Sequence, residues 1–88
     1  MHYTILLHPK AHAFLQTCET DLTQRIRKKL VELQTHPEKG KPLRYSDFFR
    51  LRVGDYRVIY EINYKKHQVI ILYIGHRKEV YDDFSRLF

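Results

Sequence analysis

The sequence lacks the features that would place it in several large classes of protein. Cys18 is the single cysteine among 88 residues, which excludes an internal disulfide and a multi-cysteine zinc site. The apolar runs are far shorter than the roughly 20 residues that a membrane-spanning helix needs. The first residues have neither the charged leader nor the small-residue cleavage site of a signal peptide, and the chain contains no internal repeat or low-complexity tract. We therefore expect one cytoplasmic domain over 1–88, with no membrane partner.

Acidic residues are also scarce relative to basic ones. The chain has 16 lysines and arginines against 10 aspartates and glutamates, for a formal net charge of +6. Such a balance favours a polyanionic partner, which is a nucleic acid, an acidic protein segment or, less readily, an anionic membrane surface. Hydrophobic residues make up 43% of the chain, which is enough for one modest core.

The periodicity of apolar residues predicts an α+β domain. The expected elements are a strand over His2–Leu7, a helix over Lys10–Cys18, an amphipathic helix that carries Leu22, Ile26, Leu30 and Leu33 and stops at Pro37, a polar loop over His36–Pro42, strands over Phe49–Val53, Tyr56–Ile62 and Val69–Gly75, and a short C-terminal helix or tail over Lys78–Phe88 with Val80, Phe84 and Leu87 on one side. Thr20 or Asp21 is the expected N-cap of the second helix. Together they predict two helices on one face of a mostly antiparallel four-stranded sheet.

Arginines alternate along the predicted hairpin that turns at Gly54-Asp55. Because side chains alternate between the faces of a strand, Arg50 and Arg52 point the same way, and Arg57 on the partner strand can join them. Arginine is always charged and meets phosphate oxygens with a planar fork. The alternative is a solvated sheet face on which these arginines pair with nearby carboxylates, namely Glu61, Glu79 or Asp55.

A second basic cluster, His76-Arg77-Lys78, follows the last predicted strand. Tyr81 comes three residues later and offers a ring on which a base could stack or a hydroxyl near a phosphate. Read singly, His76 fits a surface residue at a strand end and Tyr81 fits an amphipathic residue packed on the sheet. Beside the arginines of the hairpin, these residues favour a nucleic-acid site. His76 is the best candidate for proton transfer, because only histidine titrates near neutral pH without perturbation.

These motifs resemble the RelE/ParE toxin superfamily of toxin–antitoxin modules. The segments FRLRVGDYRVIYEINY over 49–64 and VIILYIGHRKEVY over 69–81 carry the resemblance, together with Leu33 and His36-Pro37 of an L-x-x-H-P motif. The resemblance implies a RelE-like fold and a ribosome-dependent endoribonuclease that cuts messenger RNA in the A site without a cofactor. It also implies a cognate antitoxin that covers or distorts the basic surface.

The resemblance further implies roles for individual residues. Arg50, Arg52, Arg57, Arg77 and Tyr81 match the functional positions of the RelE branch, where lysine is common at the first two. Arg57, Arg77 and Tyr81 are therefore expected to be catalytic, and Arg50 and Arg52 to bind RNA. His76 joins the catalytic set as the candidate for proton transfer, and Lys78 joins the RNA-binding set as part of the second basic cluster. Arginine at the first two positions is a clamp rather than a proton donor or acceptor.

Other readings remain open from the sequence. A ParE-like toxin would share the fold and poison DNA gyrase without cutting RNA, and an inactive module would only bind an acidic or nucleic-acid ligand. His8 and His12 have the spacing of two ligands on a helix, but no carboxylate or cysteine completes a set, so no metal is expected. Phe48, Phe49, Phe84 and Phe88 lie near the basic residues and would suit an amphipathic antitoxin segment, or else belong to the core.

Overall fold

The chain folds as a five-stranded sheet with two helices in a computed structural model that describes residues 2–44, 46–80 and 84. The elements are β1 (Thr4–Leu7), α1 (Pro9–Thr17), α2 (Thr20–Glu32), β2 (Lys41–Pro42), β3 (Phe48–Val53), β4 (Tyr56–Asn63) and β5 (Gln68–His76). The strand order is β1-β5-β4-β3-β2. β1 runs parallel to β5, and the other pairs are antiparallel. The predicted α+β class is confirmed.

The sequence-based strand count was one too low, because β2 lies inside the predicted loop over His36–Pro42. Lys41 pairs with Arg50, and Pro42 pairs with Phe49. A proline has no N–H to donate and is tolerated in an edge strand, which is where β2 lies in the strand order. Two residues give no readable alternation, so this strand forms only because β3 offers it an edge.

The helix boundaries also differ from prediction at two places. Pro9 opens α1, and the His8 Nδ1 atom caps it by accepting from the Lys10 N–H at 3.2 Å. The predicted cap of α2 at Thr20 or Asp21 is wrong. Glu19 holds the N-cap position with extended backbone and without a side-chain cap bond. α2 ends at Glu32, well before Pro37, and a turn follows it directly.

The helices cover one face of the sheet and form the main core with it. The core combines Ala11 and Leu15 of α1, Leu22, Ile26 and Leu30 of α2, Leu33, and Leu51, Val53, Val58, Tyr60, Val69, Ile71 and Ile74 of the sheet. Full burial of one large aliphatic side chain contributes roughly 1.5–3 kcal/mol. The apolar stripe of α2, predicted from residues spaced by three and four, is the stripe that is buried.

A smaller apolar cluster covers part of the opposite face. Ile59 and Leu72 from the sheet pack there with Val80 and Phe84, and the Phe84 ring meets Phe48 edge to face at 5.3 Å. Val80 and Phe84 are helical, as predicted for the C-terminal segment. The predicted Leu87 and Phe88 lie outside the described residues. Phe48 and Phe84 are therefore packed against each other, and Phe49 stacks on Tyr60 in the main core.

A register shift in the β4–β5 pair sets which face the end of β5 presents. Ile59 pairs with Tyr73 while the next residue, Tyr60, pairs with Ile71, so Leu72 is the extra residue of a bulge. A bulge reverses the alternation beyond it. As a result, His76 lies opposite Tyr56, on the face that carries the helices.

Tyr60 fastens the loop that precedes β2. Its side chain is fully buried, and its hydroxyl donates to the Pro37 carbonyl at 2.7 Å and accepts from the Gly40 N–H at 3.0 Å. Burial raises the pKa of Tyr60. A Cβ atom on Gly40 would stand 2.6 Å from the Arg50 carbonyl oxygen, so only glycine allows the loop to approach β3 this closely.

A second tyrosine, Tyr64, contacts the same loop at the surface and makes the free energy of unfolding depend on pH in the alkaline range. The Tyr64 hydroxyl donates to Glu38 Oε1 at 2.6 Å, and this hydrogen bond raises the pKa of Tyr64 from 10.0 to about 12. Because the pKa of Tyr64 is higher in the folded state than in the unfolded state, its hydrogen bond contributes fully to the free energy of unfolding below the unfolded pKa of 10.0. This contribution is lost as the pH rises from 10.0 to about 12. The effect is small because half of Tyr64 is exposed.

We expect the free energy of unfolding of the parent to fall more steeply across this alkaline range than that of Tyr64→Phe. Urea unfolding at several alkaline pH values measures both curves, and the difference between them isolates Tyr64 from lysines that titrate in the same range. Parallel curves would contradict the assignment.

Candidate nucleic-acid interface

The β3–β4 pairing brings three arginines to one face of the sheet. Arg52 lies directly opposite Arg57, and Arg50 lies opposite Ile59. Ile59 belongs to the apolar cluster on the side away from the helices, so the arginines project on that side. We call the segment from β3 to β4 with these three side chains the arginine hairpin.

Two like charges directly opposite each other in a sheet are destabilising. The hairpin accommodates Arg57 through its own turn, because Arg57 Nη1 donates to the Gly54 and Tyr56 carbonyls, both at 2.9 Å. Gly54 supplies the turn with a φ of 58°, a left-handed conformation that favours glycine. An arginine has five N–H donors, so a guanidinium held at one nitrogen still has donors to offer a phosphate.

The arginine hairpin borders a groove of about 310 Å³ at the edge of the sheet. The groove is lined by Lys29, Lys39, Gly40, Lys41, Arg50, Leu51, Arg52 and Arg57. No carboxylate occurs in this described lining, and six of its eight residues are cationic. We call it the cationic groove. Six cations gathered in one groove create a positive potential that an anion relieves, and the volume is at the lower end of the roughly 300–1,000 Å³ of ligand sites.

Glu32, at the end of α2, is the carboxylate that meets the groove's lysines. Lys39 Nζ lies 2.7 Å from Glu32 Oε1, and Lys29 Nζ lies 3.8 Å from Oε2. The hydrogen bond from Lys39 lowers the pKa of Glu32. One carboxylate is thus shared by two lysines, so the rim of the groove remains positive.

Arg77, which directly follows β5, contacts the turn of the arginine hairpin. Its N–H donates to the Asp55 carbonyl at 2.8 Å, and its Nε lies 3.9 Å from Asp55 Oδ1. The side chains of the pair are 55% and 70% exposed, and such exposed pairs are weak. Arg57 is bonded to Gly54 through its side chain, and Arg77 is bonded to Asp55 through its backbone N–H, so the two residues contact successive positions of one turn.

His76 lies on a different face from the arginine hairpin. Its ring meets Tyr56 edge to face at 5.4 Å, and Tyr56 packs on Phe14 of α1. The Lys78 N–H donates to His76 Nδ1 at 3.2 Å. The expected gathering of His76 with Arg57 on one face is not seen, because the β5 bulge turns His76 toward the helices.

Two predicted site residues remain, Lys78 and Tyr81. Lys78 is exposed in the turn that follows β5. Tyr81 lies outside the described residues.

Sequence reasoning missed three lysines of the cationic groove, Lys29, Lys39 and Lys41. Lys29 lies outside the apolar stripe of α2. This position predicts that Lys29 is on the surface, but it does not predict which element Lys29 faces. Lys39 lies in the loop that Tyr60 fastens and Lys41 begins β2 directly after it, and only the folded chain shows that this segment borders β3.

Two properties are absent from the part of the chain that the structure describes. It contains no cluster of three or more histidine, cysteine or acidic side chains arranged to hold a metal ion. No helix in the same part is long and apolar enough to span a membrane.

Comparisons with known proteins match this fold to bacterial and archaeal toxins. The family model described as the ParE toxin of type II toxin–antitoxin systems, parDE, matches residues 5–81. A chain of the RelE–RelB complex from Pyrococcus horikoshii is 30% identical with a TM-score of 0.76, over 88% of this chain and 97% of that chain. No protein in the curated set matches the sequence.

Two further solved structures extend the likeness. A chain of the RelBE2 toxin–antitoxin complex from Mycobacterium tuberculosis is 28% identical with a TM-score of 0.80, over 88% of this chain and 100% of that chain. A mutant of the E. coli toxin RelE in the free state is 25% identical with a TM-score of 0.79, and the match covers 100% of both chains.

Proposed function

The chain belongs to the RelE/ParE superfamily of type II toxin–antitoxin toxins, and from this premise we propose that it is a ribosome-dependent endoribonuclease that cuts messenger RNA in the A site. The observation that carries the proposal is the cationic groove, with Arg57 and Arg77 anchored on the same turn beside it. A ribose–phosphate backbone is the polyanion that such a surface suits.

The proposed reaction needs no metal. The ribose 2′-oxygen attacks the adjacent phosphorus, the bond from phosphorus to the 5′-oxygen breaks, and the products carry a 2′,3′-cyclic phosphate and a 5′-hydroxyl. One group accepts the 2′ proton and another supplies a proton to the 5′-oxygen. Negative charge grows on the non-bridging oxygens in the transition state, and fixed cations there lower the barrier.

We assign the charge-stabilising role to Arg57 and Arg77, because they reach one turn from separate segments. Arg50 and Arg52 hold the flanking phosphates, and Lys78 adds a further backbone contact. Tyr81 is the proposed stacking or proton-transfer residue.

For His76 we propose a positioning role. Its Nδ1 accepts from the Lys78 N–H and thereby fixes the turn that carries Arg77.

A protein antitoxin is the proposed regulator. The solved relatives include complexes of RelE with RelB from P. horikoshii and of RelBE2 from M. tuberculosis. We propose that the antitoxin of this chain, encoded next to it, presents acidic residues to the cationic groove and so competes with RNA.

One observation favours a second function, which is inhibition of DNA gyrase without nuclease activity. The family model that matches residues 5–81 is that of the ParE toxin. This alternative needs the fold but not a groove that binds RNA.

Inducible expression of the chain in bacteria separates the two functions. We expect incorporation of labelled amino acids to stop before DNA synthesis does, and primer extension to reveal new message ends within coding regions. Expression of Arg57→Ala is the matched control and leaves translation running. Filamentous cells with broken DNA and intact messages would favour gyrase inhibition, and cells that grow normally would favour a passive binding module.

A further inference from the structure

Arg25 of α2 reaches the turn that anchors Arg57 and Arg77. A Cβ atom placed on Gly54 would stand 3.4 Å from Arg25 Nη1, so the guanidinium lies against the backbone of the arginine hairpin. Arg25 is exposed, and no ion pair joins it to another residue of the described part of the chain. A third element therefore brings a cation to the Gly54-Asp55 turn.

Lys29 continues this cationic line along the same side of α2. Residues four apart on a helix are neighbours on its surface, about 6 Å apart along the axis. Lys29 lines the cationic groove, and its contact with Glu32, at 3.8 Å between half-exposed side chains, is weak. We call Arg25 and Lys29 the helix track. Lys29 lies in the groove and Arg25 lies against the turn of the arginine hairpin, so the helix track places a cation at each.

The helix track has a definite end. Toward the start of α2, Arg25 borders a second cavity that is also lined by Gln24, Lys28 and two carboxylates, Glu19 and Asp21. These carboxylates repel phosphate, so the positive surface runs from Arg25 toward the groove and not beyond the first turn of the helix.

We infer that the helix track binds the phosphate backbone of RNA on the helix side of the cationic groove, as a second segment of one continuous site. The inference rests on the proposed function and adds a contact surface that the strands alone do not provide. The RNA is either the message beyond the cut or ribosomal RNA that faces α2. Both present the same ribose–phosphate backbone, which fixed cations recognise without reading the sequence.

The salt dependence of binding tests the helix track. Each lost phosphate contact lowers the slope of log affinity against log salt by about 0.7 for a single strand. We expect Arg25→Ala and Lys29→Ala each to lower the slope by about 0.7, and the double variant by about 1.4. Between about 50 and 200 mM salt, each single variant then loses roughly threefold less affinity than the parent.

Arg27→Ala is the matched control. It removes the same charge from an exposed position of α2, but Arg27 lies about 200° around the helix from Arg25 and points away from the groove. Its slope is expected to match that of the parent. The melting temperature of each variant checks that folding is retained.

Two arms distinguish the source of the RNA. One uses a labelled single-stranded RNA of roughly 12 nucleotides, within the usual span of a single-strand site, and the other uses vacant ribosomes. A lower slope in the first arm supports contact with the message, and a lower slope in the second arm alone supports contact with ribosomal RNA.

Slopes of Arg25→Ala and Lys29→Ala equal to that of Arg27→Ala in both arms would overturn the inference. The proposed function would still stand if the parent protein cuts message on the ribosome. A parent that binds RNA in neither arm and cuts no message would remove both.

Discussion

Replacing Arg57 with alanine is expected to slow message cleavage on the ribosome about 100- to 1,000-fold, the usual cost of removing one preorganised donor from a developing oxyanion. Arg57 is held to the Gly54 and Tyr56 carbonyls through Nη1, so its guanidinium is fixed in place before RNA arrives. Fixed charge of this kind needs no reorganisation in the transition state. The measurement is the single-turnover rate at which a defined message is cut by the purified protein on programmed ribosomes.

Two controls give this result its meaning. Arg57→Lys keeps the charge but loses the planar fork, and we expect its rate to lie between those of the parent and the alanine variant. Arg27→Ala removes one positive charge elsewhere and is expected to cut at the parent rate. Cleavage by Arg57→Ala at the parent rate would show that Arg57 is not part of the catalytic site.

Tyr60→Ala is expected to destabilise the protein by roughly 3–5 kcal/mol, the range for aromatic-to-alanine changes in a core. The Tyr60 side chain is fully buried and stacks on Phe49 at 5.3 Å. Its hydroxyl also satisfies two backbone groups, at Pro37 and Gly40. A domain of this size is marginally stable, so we expect Tyr60→Ala to be largely unfolded even without denaturant.

Tyr60→Phe separates the hydroxyl from the ring. It keeps the packing and leaves the Gly40 N–H and the Pro37 carbonyl without their partner, at a cost of about 1–3 kcal/mol. The free energy of unfolding in urea measures both variants, with Tyr64→Phe at neutral pH as the control for a half-exposed hydroxyl. A loss below about 0.5 kcal/mol for Tyr60→Phe, the range of ordinary surface substitutions, would contradict the role of Tyr60 in fastening the loop.

The two variants also connect stability to function. The loop that Tyr60 fastens carries Lys39 and leads into Lys41 of β2, and both lysines line the cationic groove. Tyr60→Phe loosens this loop, so the lysines of the groove are held less rigidly although no charged residue is changed.

Local pattern predicted most of the fold, because each long element buries one face. The α2 stripe of Leu22, Ile26 and Leu30 and the alternation around the Gly54-Asp55 turn could be read directly from the chain. β2 could not be predicted, since a pairing of two residues depends on the edge that β3 offers. The N-cap at Glu19 was missed because its side chain makes no cap bond, and propensity favours Thr20 or Asp21.

The placement of the candidate site's residues could be predicted where it depends on strand alternation and could not where it depends on tertiary contact. Arg50, Arg52 and Arg57 share a face because their hairpin pairs in a simple register. His76 does not share it, since the extra residue in β5 reverses the alternation before His76, and nothing in the run VIILYIGH marks a bulge. Arg25 was missed because only the packing of α2 on the sheet brings it to Gly54.

Purified protein added to ribosomes that hold a defined codon in the A site shows whether the chain is a ribosome-dependent nuclease, with the ends of the message mapped afterwards. We expect a new end inside the A-site codon that requires the ribosome and is lost in Arg57→Ala. Messages that stay intact with the parent protein, while the same preparation inhibits supercoiling by DNA gyrase, would contradict this expectation.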